Sequence, residues 1–117
     1  MSNLKEFIKS TDENNGATFN LNTGELNPTK GYFVALKRQE LKVKYNNPIN
    51  EIVQKYVLKN SIDLSDNNTF VGSWIEDGLL YLDVVVMLED KEEAIKLGQQ
   101  NEQLAIYDAS TKQVITL

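Results

Sequence analysis

The stretch from Phe70 to Asp108 constrains the fold more than any other part of this 117-residue chain. Within it, Asp77-Gly78 separates two apolar runs, and these residue types favour the positive φ angles of a two-residue hairpin turn. The second run, residues 79–88, is apolar at every even position and mixed at the odd positions. We therefore predict a hairpin whose long return strand lies inside a sheet and turns its even-numbered side chains towards the main core.

Three helices and several further strands are predicted around this hairpin. Apolar residues recur at helical spacing in residues 4–10, 48–59 and 91–101. Alternating or mostly apolar runs predict the other strands, at residues 17–21, 31–45, 69–75, 104–108 and 113–117. The run 31–45 forms either one bent strand or two short ones. The order α-ββ-α-ββ-α-ββ predicts an α+β fold with a mainly antiparallel sheet of hairpins and about three helices, packed mostly on one face.

Local signals predict where the helices begin and end. Asn47 is suited to cap the second helix, and Pro48 fits its first position because the missing N–H would be unpaired there anyway. Asp90, followed three residues later by Glu93, has the spacing of a capping box for the third helix. The polar segment 10–16 (STDENNG) predicts a loop that ends the first helix.

Length and composition fit one globular domain comprising residues 1–117. Residues 1–16 would form an N-terminal helix and loop, either packed on the domain or peripheral and detachable, since three apolar side chains contribute only a few kcal/mol. No apolar run is long enough to span a bilayer, and the N-terminus lacks the hydrophobic region of a secretory signal. We therefore predict a cytoplasmic protein.

The sequence contains no cysteine and no histidine. The first absence excludes thiolate nucleophiles, disulfides and cysteine-ligated metal sites, and the second excludes the Ser-His-Asp arrangement and the commonest general base. No phosphate-loop or dinucleotide-binding motif is present. We therefore predict that the protein is not an enzyme and that it binds neither a cofactor nor a metal ion.

The net charge of −5 is unevenly distributed along the chain. Residues 1–62 contain nine Lys and Arg against six Asp and Glu, a balance of +3. Residues 63–117 contain three Lys against eleven Asp and Glu, a balance of −8. The asymmetry marks an acidic interaction surface, or else the two halves interleave in the fold and their charges partly cancel.

Two residues of the central hairpin are candidates for a special role. Asp83 interrupts an apolar strand, and a buried carboxylate must find a partner or shift its pKa. Structural pairing is the commoner fate; the alternative is an acid/base couple or divalent-cation site with Asp108 or Glu76. Trp74 is predicted to lie in the core, although an exposed Trp74 would be a natural interface anchor.

A basic strand supports an alternative function, the binding of nucleic acid. Cations and aromatic residues that share one strand face can track a single strand of DNA or RNA. The match is partial, because an edge strand protected by lysines explains the same residues and the acidic net charge disfavours phosphate binding. The candidate residues are Lys37, Arg38, Lys42, Lys44 and Tyr45.

Several segments together resemble a known group of proteins. They are Thr18 to Gly31, Gly72-Ser73-Trp74, Asp77-Gly78, Tyr81-Leu82-Asp83-Val84, Glu92-Glu93-Ala94-Ile95, and Gln103-Leu104-Ala105-Ile106-Tyr107-Asp108. Over about two-thirds of its length the chain resembles small, largely uncharacterised accessory proteins of phages, plasmids and other mobile elements of Gram-positive bacteria. These segments are strand, turn and helix signals rather than catalytic motifs, so the resemblance implies no reaction and no site residue.

The resemblance implies a context in which small acidic proteins bind host proteins, including nucleases of restriction and CRISPR systems. An acidic surface can occupy the basic groove of a nuclease because it repeats the charge of DNA. We therefore predict a non-enzymatic accessory protein that inhibits a bacterial defence nuclease, of the anti-CRISPR or anti-restriction type. The oligomeric state is left open. The residues predicted to carry the interface are Glu76, Asp77, Glu89, Asp90, Glu92 and Glu93.

Overall fold

The computed structural model describes residues 4–37 and 39–117, and within them it is an α+β fold with three helices and a seven-stranded, mostly antiparallel open sheet. This is the predicted fold class. The elements in chain order are α1 (Leu4–Asn14), β1 (Gly16–Phe19), β2 (Tyr32–Ala35), β3 (Leu41–Lys44), α2 (Asn50–Lys59), a single 3-10 turn (Asp63–Ser65), β4 (Thr69–Glu76), β5 (Leu79–Leu88), α3 (Lys91–Gln100), β6 (Ala105–Asp108) and β7 (Gln113–Thr116).

The predicted hairpin is confirmed, and its return strand lies inside the sheet. The strand order is β1-β4-β5-β2-β6-β7, and β3 also pairs with β5. Asp77 and Gly78 form the turn with φ angles of 53° and 75°, as a two-residue turn with two positive φ angles requires. The long strand β5 therefore pairs with β4 along one side and with two short strands along the other.

The prediction of a sheet built from hairpins is wrong for the first half of the chain. β1 pairs with β4 rather than with the strand that follows it, and the run 31–45 forms two short strands, β2 and β3. These two strands lie end to end along β5, with residues 36–40 between them. The long strand offers more backbone groups than either short strand can satisfy, so it accommodates both.

The three helices lie on one face of the sheet, as predicted. The even-numbered residues Leu80, Leu82 and Val84 of β5 are fully buried there, against α1 and α2. A second cluster on the same face joins Ala94 of α3 to Val34 and Ile106. Within the described residues, no helix is long and apolar enough to cross a membrane.

Helix α1 is longer than predicted and is packed on the domain rather than detachable. Phe7 is completely buried and stacks near Phe19, with ring centroids 6.0 Å apart. The polar segment 10–16 does not end the helix, because Ser10 and Thr11 face the core and the Thr11 hydroxyl donates to the Phe7 carbonyl. The helix ends only at Asn14, before Asn15 adopts a φ of 61°.

The predicted start of α2 is wrong, whereas that of α3 is confirmed. Helix α2 begins at Asn50, and the Asn47 side chain does not cap it but lies with its Oδ1 3.1 Å from the Tyr45 hydroxyl oxygen. At α3 the Asp90 carboxylate accepts the Glu92 N–H at 2.9 Å, which satisfies one of the free donors of the first turn.

Candidate functional site

The sheet face opposite the helices, here called the open face, is not covered by any of the three helices. The odd-numbered residues of β5 lie on it, together with the residues that pair with them on neighbouring strands. Three of its large apolar side chains are exposed to solvent: Trp74 at 54%, Tyr107 at 39% and Val114 at 69%. An exposed aromatic sheet face of this kind is typical of a binding surface.

Trp74 lies on the open face near the turn between β4 and β5. It lies directly opposite Tyr81 in the β4–β5 register, and its indole N–H donates to the Glu76 carboxylate at 3.3 Å. The ring also lies against Gly16, where an added Cβ would come within 3.0 Å of Trp74 Cε3. Lys42 places its Nζ 5.7 Å from the centre of the Tyr81 ring. The rings of Trp74 and Tyr81, opposite each other on neighbouring strands, are here called the aromatic platform.

The prediction that Trp74 lies in the core is therefore wrong, and the sequence held a signal for its position. A two-residue turn at Asp77-Gly78 fixes the register of the hairpin and pairs Trp74 with Tyr81. That pairing puts Trp74 on the same face as Asp83, opposite the face that was predicted to turn towards the main core. The prediction followed the apolar character of Trp74 rather than the register of the β4–β5 hairpin.

Farther along the open face, a small cluster is closed to solvent. Phe33 and Phe70 meet edge to face with centroids 5.2 Å apart, and Ala109, in the β6–β7 turn, packs with them. Val85 and Met87 of β5 complete the cluster and stay half-buried. The open face therefore has its own small core beside the exposed platform.

Asp83 lies on the open face, opposite the gap between β2 and β3. The two residues that flank Asp83 in β5 both have partners. The Val84 carbonyl accepts the Leu36 N–H, and Leu82 lies opposite Leu41 of β3. Burial, followed by the negative charge of Glu40, raises the pKa of the Asp83 carboxyl to about 6. Burial, followed by the charges of Asp83 and Glu40, also raises the pKa of Tyr56, whose hydroxyl donates to the Gln39 carbonyl at 2.6 Å.

The structure does not bring Asp83 together with its predicted partners. Asp108 aligns through β2 with Leu88 and lies on the helix-covered face, where its carboxylate accepts from the Ser110 N–H and hydroxyl. Glu76 aligns with Leu79, four residues from Asp83 along β5. The alternative of an acid/base couple or divalent-cation site at Asp83 is therefore wrong for both residues.

Two shallow clefts lie on the helix side of the described part of the chain. One of about 310 Å³ lies between α2 and the gap between β2 and β3, and Glu40, Tyr56 and Lys59 are among its lining residues. Another of about 250 Å³ lies beside α1 and is lined mainly by polar side chains. Among the described residues, no group of three or more Asp and Glu side chains is arranged to hold a metal ion.

The six acidic residues predicted to carry an interface are split between the two ends of β5. Glu76 and Asp77 lie at the hairpin turn, and Glu89, Asp90, Glu92 and Glu93 lie where β5 leads into α3. A strand of 10 residues separates the two groups by roughly 30–35 Å. The halves of the chain also interleave, because β4 and β5 lie between β1 and the pair β2 and β3. The charge asymmetry of the sequence therefore does not imply one continuous acidic face in the folded chain.

The basic strand residues are divided as well. Lys42 and Lys44 lie on the open face opposite Tyr81 and Leu79. Lys37 forms an ion pair with Glu102, and the Tyr45 hydroxyl donates to Asp12 of α1 at 2.6 Å. That hydrogen bond to Asp12 is the main reason that the pKa of Tyr45 is raised. Arg38 lies outside the described residues.

The fold and the open face define an α+β protein whose sheet is covered by helices on one face only. Comparison of the chain with protein-family models, curated proteins and solved structures gave no match. The resemblance to accessory proteins of mobile elements therefore stays a prediction.

Proposed function

We propose that this protein is a non-enzymatic binding protein whose partner is another protein, docked on the open face around Trp74. The observation that carries the proposal is the 54% exposure of Trp74 on a sheet face that the three helices leave uncovered. Tryptophan and tyrosine dominate the binding energy of protein interfaces when a partner excludes water from them. The platform of Trp74 and Tyr81 offers two such side chains at opposite positions of neighbouring strands.

The charges of the open face favour a protein partner. Lys42 and Lys44 supply two positive charges, and Glu76 and Asp83 supply two negative ones. A mixed polar rim around an aromatic centre matches the anatomy of protein interfaces. Nucleic acid would gain little from such a surface, because its affinity comes mainly from the neutralisation of phosphates.

A host defence nuclease is the partner that we propose, on the basis of the resemblance. Glu76 and Asp77 lie at the hairpin next to Trp74, so they would extend the interface towards a basic groove. The other four acidic candidates lie at the far end of β5 and would remain outside this contact. The protein would then act by occupying the nuclease surface that DNA normally uses.

The test uses the purified protein and nucleases of bacterial restriction and CRISPR systems. We expect binding and inhibition of cleavage, weakened by Trp74→Ala by about 2 kcal/mol, or roughly thirty-fold in affinity. Leu58→Ala is the matched control, because Leu58 is 75% exposed on α2 and lies away from the open face. A wild-type protein that binds no such nuclease at low salt would remove the proposed partner. Equal binding by the two variants would remove the open face as the interface.

One observation favours the alternative of nucleic-acid binding, namely the position of Lys42 over the Tyr81 ring beside Trp74. Stacking on such rings and contact with a nearby lysine could hold a single strand. A mobility-shift assay with single- and double-stranded DNA and RNA at low salt separates the alternatives. A shift that Trp74→Ala and Lys42→Gln both abolish would support the nucleic-acid function, and the absence of any shift would exclude it.

A further inference from the structure

Three strands of the sheet have one free side in the described part of the chain, and two of them are protected. The outer side of β1 is covered by the following turn, where Asn27 donates its N–H to the Thr18 carbonyl at 2.7 Å. β3 has the sequence LKVK, and lysines are a common protection of a free edge. β7 has the sequence QVIT, without charge, proline or covering turn. Its backbone groups are open to pairing with another strand.

The register of β7 shows which of its backbone groups point outward. Leu117 donates its N–H to the Leu104 carbonyl at 2.9 Å, and Ile115 lies opposite Ile106 in the same register. Hydrogen-bonded and non-hydrogen-bonded pairs alternate along antiparallel strands. The backbone N–H and C=O groups of Ile115 therefore point towards β6, as does the N–H of Leu117. The N–H and C=O groups of Val114 and Thr116 therefore point away from the sheet.

We propose that β7 pairs in antiparallel fashion with β7 of a second copy of this chain, with Val114 of one copy opposite Thr116 of the other. This register lets the outward groups of both residues exchange backbone hydrogen bonds across a twofold axis. It also places Ile115 opposite Ile115 of the second copy. The two seven-stranded sheets would join into one, and the open faces would become continuous.

The side chains of β7 suit a second copy. Residues 113–117 have no charged side chain, so identical strands can meet without the repulsion that two copies of LKVK would suffer. Val114 is 69% exposed, and pairing with the second copy would cover part of it. Leu104, immediately before β6 and 86% exposed, lies next to Leu117, the residue after β7. The inference goes beyond the proposed function, because β7 is separated from β4 and Trp74 by β5, β2 and β6.

The experiment measures the mass of the protein in solution by sedimentation equilibrium over a concentration series. We expect the wild type to reach about twice the chain mass of 13.3 kDa. The double variant Val114→Lys with Thr116→Lys places like charges opposite each other and should be monomeric. The matched variant Val114→Lys with Thr116→Glu places opposite charges there and should remain dimeric.

Three results would overturn the proposal: a monomeric wild type, two dimeric double variants, or two monomeric ones. If circular dichroism shows that a double variant does not fold, hydrogen exchange of the wild-type protein is measured instead. The amide protons of Val114 and Thr116 should then become protected as the protein concentration rises, and concentration-independent exchange would overturn the proposal. Trp74→Ala should leave the dimer intact, so failure of the nuclease proposal and failure of this one are distinguishable.

Discussion

Thr11 of α1 and Ser73 of β4 are joined by a buried hydrogen bond of 2.6 Å between their hydroxyl oxygens, across 62 residues of sequence. Each hydroxyl also reaches a backbone carbonyl, Thr11 that of Phe7 at 2.8 Å and Ser73 that of Ala17 at 3.3 Å. This small network ties the N-terminal helix to β1 and β4. It explains why a polar segment can continue a helix into the interior.

We expect Thr11→Val to lower the free energy of unfolding by about 1–2 kcal/mol, because the variant keeps the shape of the side chain and loses its buried hydrogen bonds. Urea denaturation measures the effect. Combined with Ser73→Ala, the loss should be smaller than the sum of the single losses, since the second substitution removes a group already left partly unpaired. Additive losses would show that the two hydroxyls do not interact.

The Asp83 carboxyl should make the protein less stable as the pH rises. Its pKa is about 6 in the folded chain against an ordinary value of 3.8, so the folded chain binds more protons between these values and stability falls across that range. Asp83 keeps some contact with solvent, and we expect a loss of about 2 kcal/mol, somewhat below the full value of the shift. Urea denaturation of the wild type and Asp83→Asn at about pH 4 and about pH 7 measures the difference.

The control for this prediction is Glu40→Gln. The charge of Glu40 is the second cause of the raised pKa, after burial, so its removal should reduce the pH dependence without abolishing it. If the stability difference between the wild type and Asp83→Asn does not vary with pH, the environment assigned to Asp83 is wrong.

Trp74 is the single tryptophan of the chain, so its fluorescence reports directly on the open face. Because 54% of it is exposed, we expect acrylamide to quench the folded protein readily and unfolding to shift the emission only slightly. Docking of a partner on the open face should shift the emission to shorter wavelength and reduce quenching. Emission typical of a buried indole in the free protein would contradict the exposed position.

Two glycines with positive φ angles should respond differently to alanine. Gly78, with a φ of 75°, has no atom within 4 Å of an added Cβ, so Gly78→Ala should cost only backbone strain, about 1 kcal/mol. Gly31, with a φ of 96°, would bring that Cβ to 2.7 Å from Met87 Cγ and Sδ. We expect Gly31→Ala to cost about 2–4 kcal/mol, as strain and overpacking add. Thermal unfolding of both variants is the measurement, and equal costs would refute the contact with Met87.

Local signals in the sequence predicted the fold class because they were strong where the sheet is organised. The turn at Asp77-Gly78 and the alternation of residues 79–88 are short-range patterns, and both are confirmed. The pairing of β1 with β4 was missed because it joins strands about fifty residues apart. No local pattern distinguishes a distant strand partner from a neighbouring one.

The site was harder to predict than the fold because exposure depends on which face the helices cover. Apolarity placed Trp74 in the core, although its register with Tyr81 places it on the uncovered face. The acidic residues were assigned to one interface because of the net negative charge of residues 63–117. In the folded chain, the length of β5 separates them into two groups. Composition gives no information on distances between residues in the folded chain.

The pairing partners of the early strands affect how the chain can fold during synthesis. In the described part of the chain, β1, β2 and β3 pair with β4, β5 and β6, and not with one another. The emerging N-terminal half therefore has no sheet to join until the ribosome has released β4 and β5. Until then its apolar side chains stay exposed in the nascent polypeptide, where chaperones can bind them.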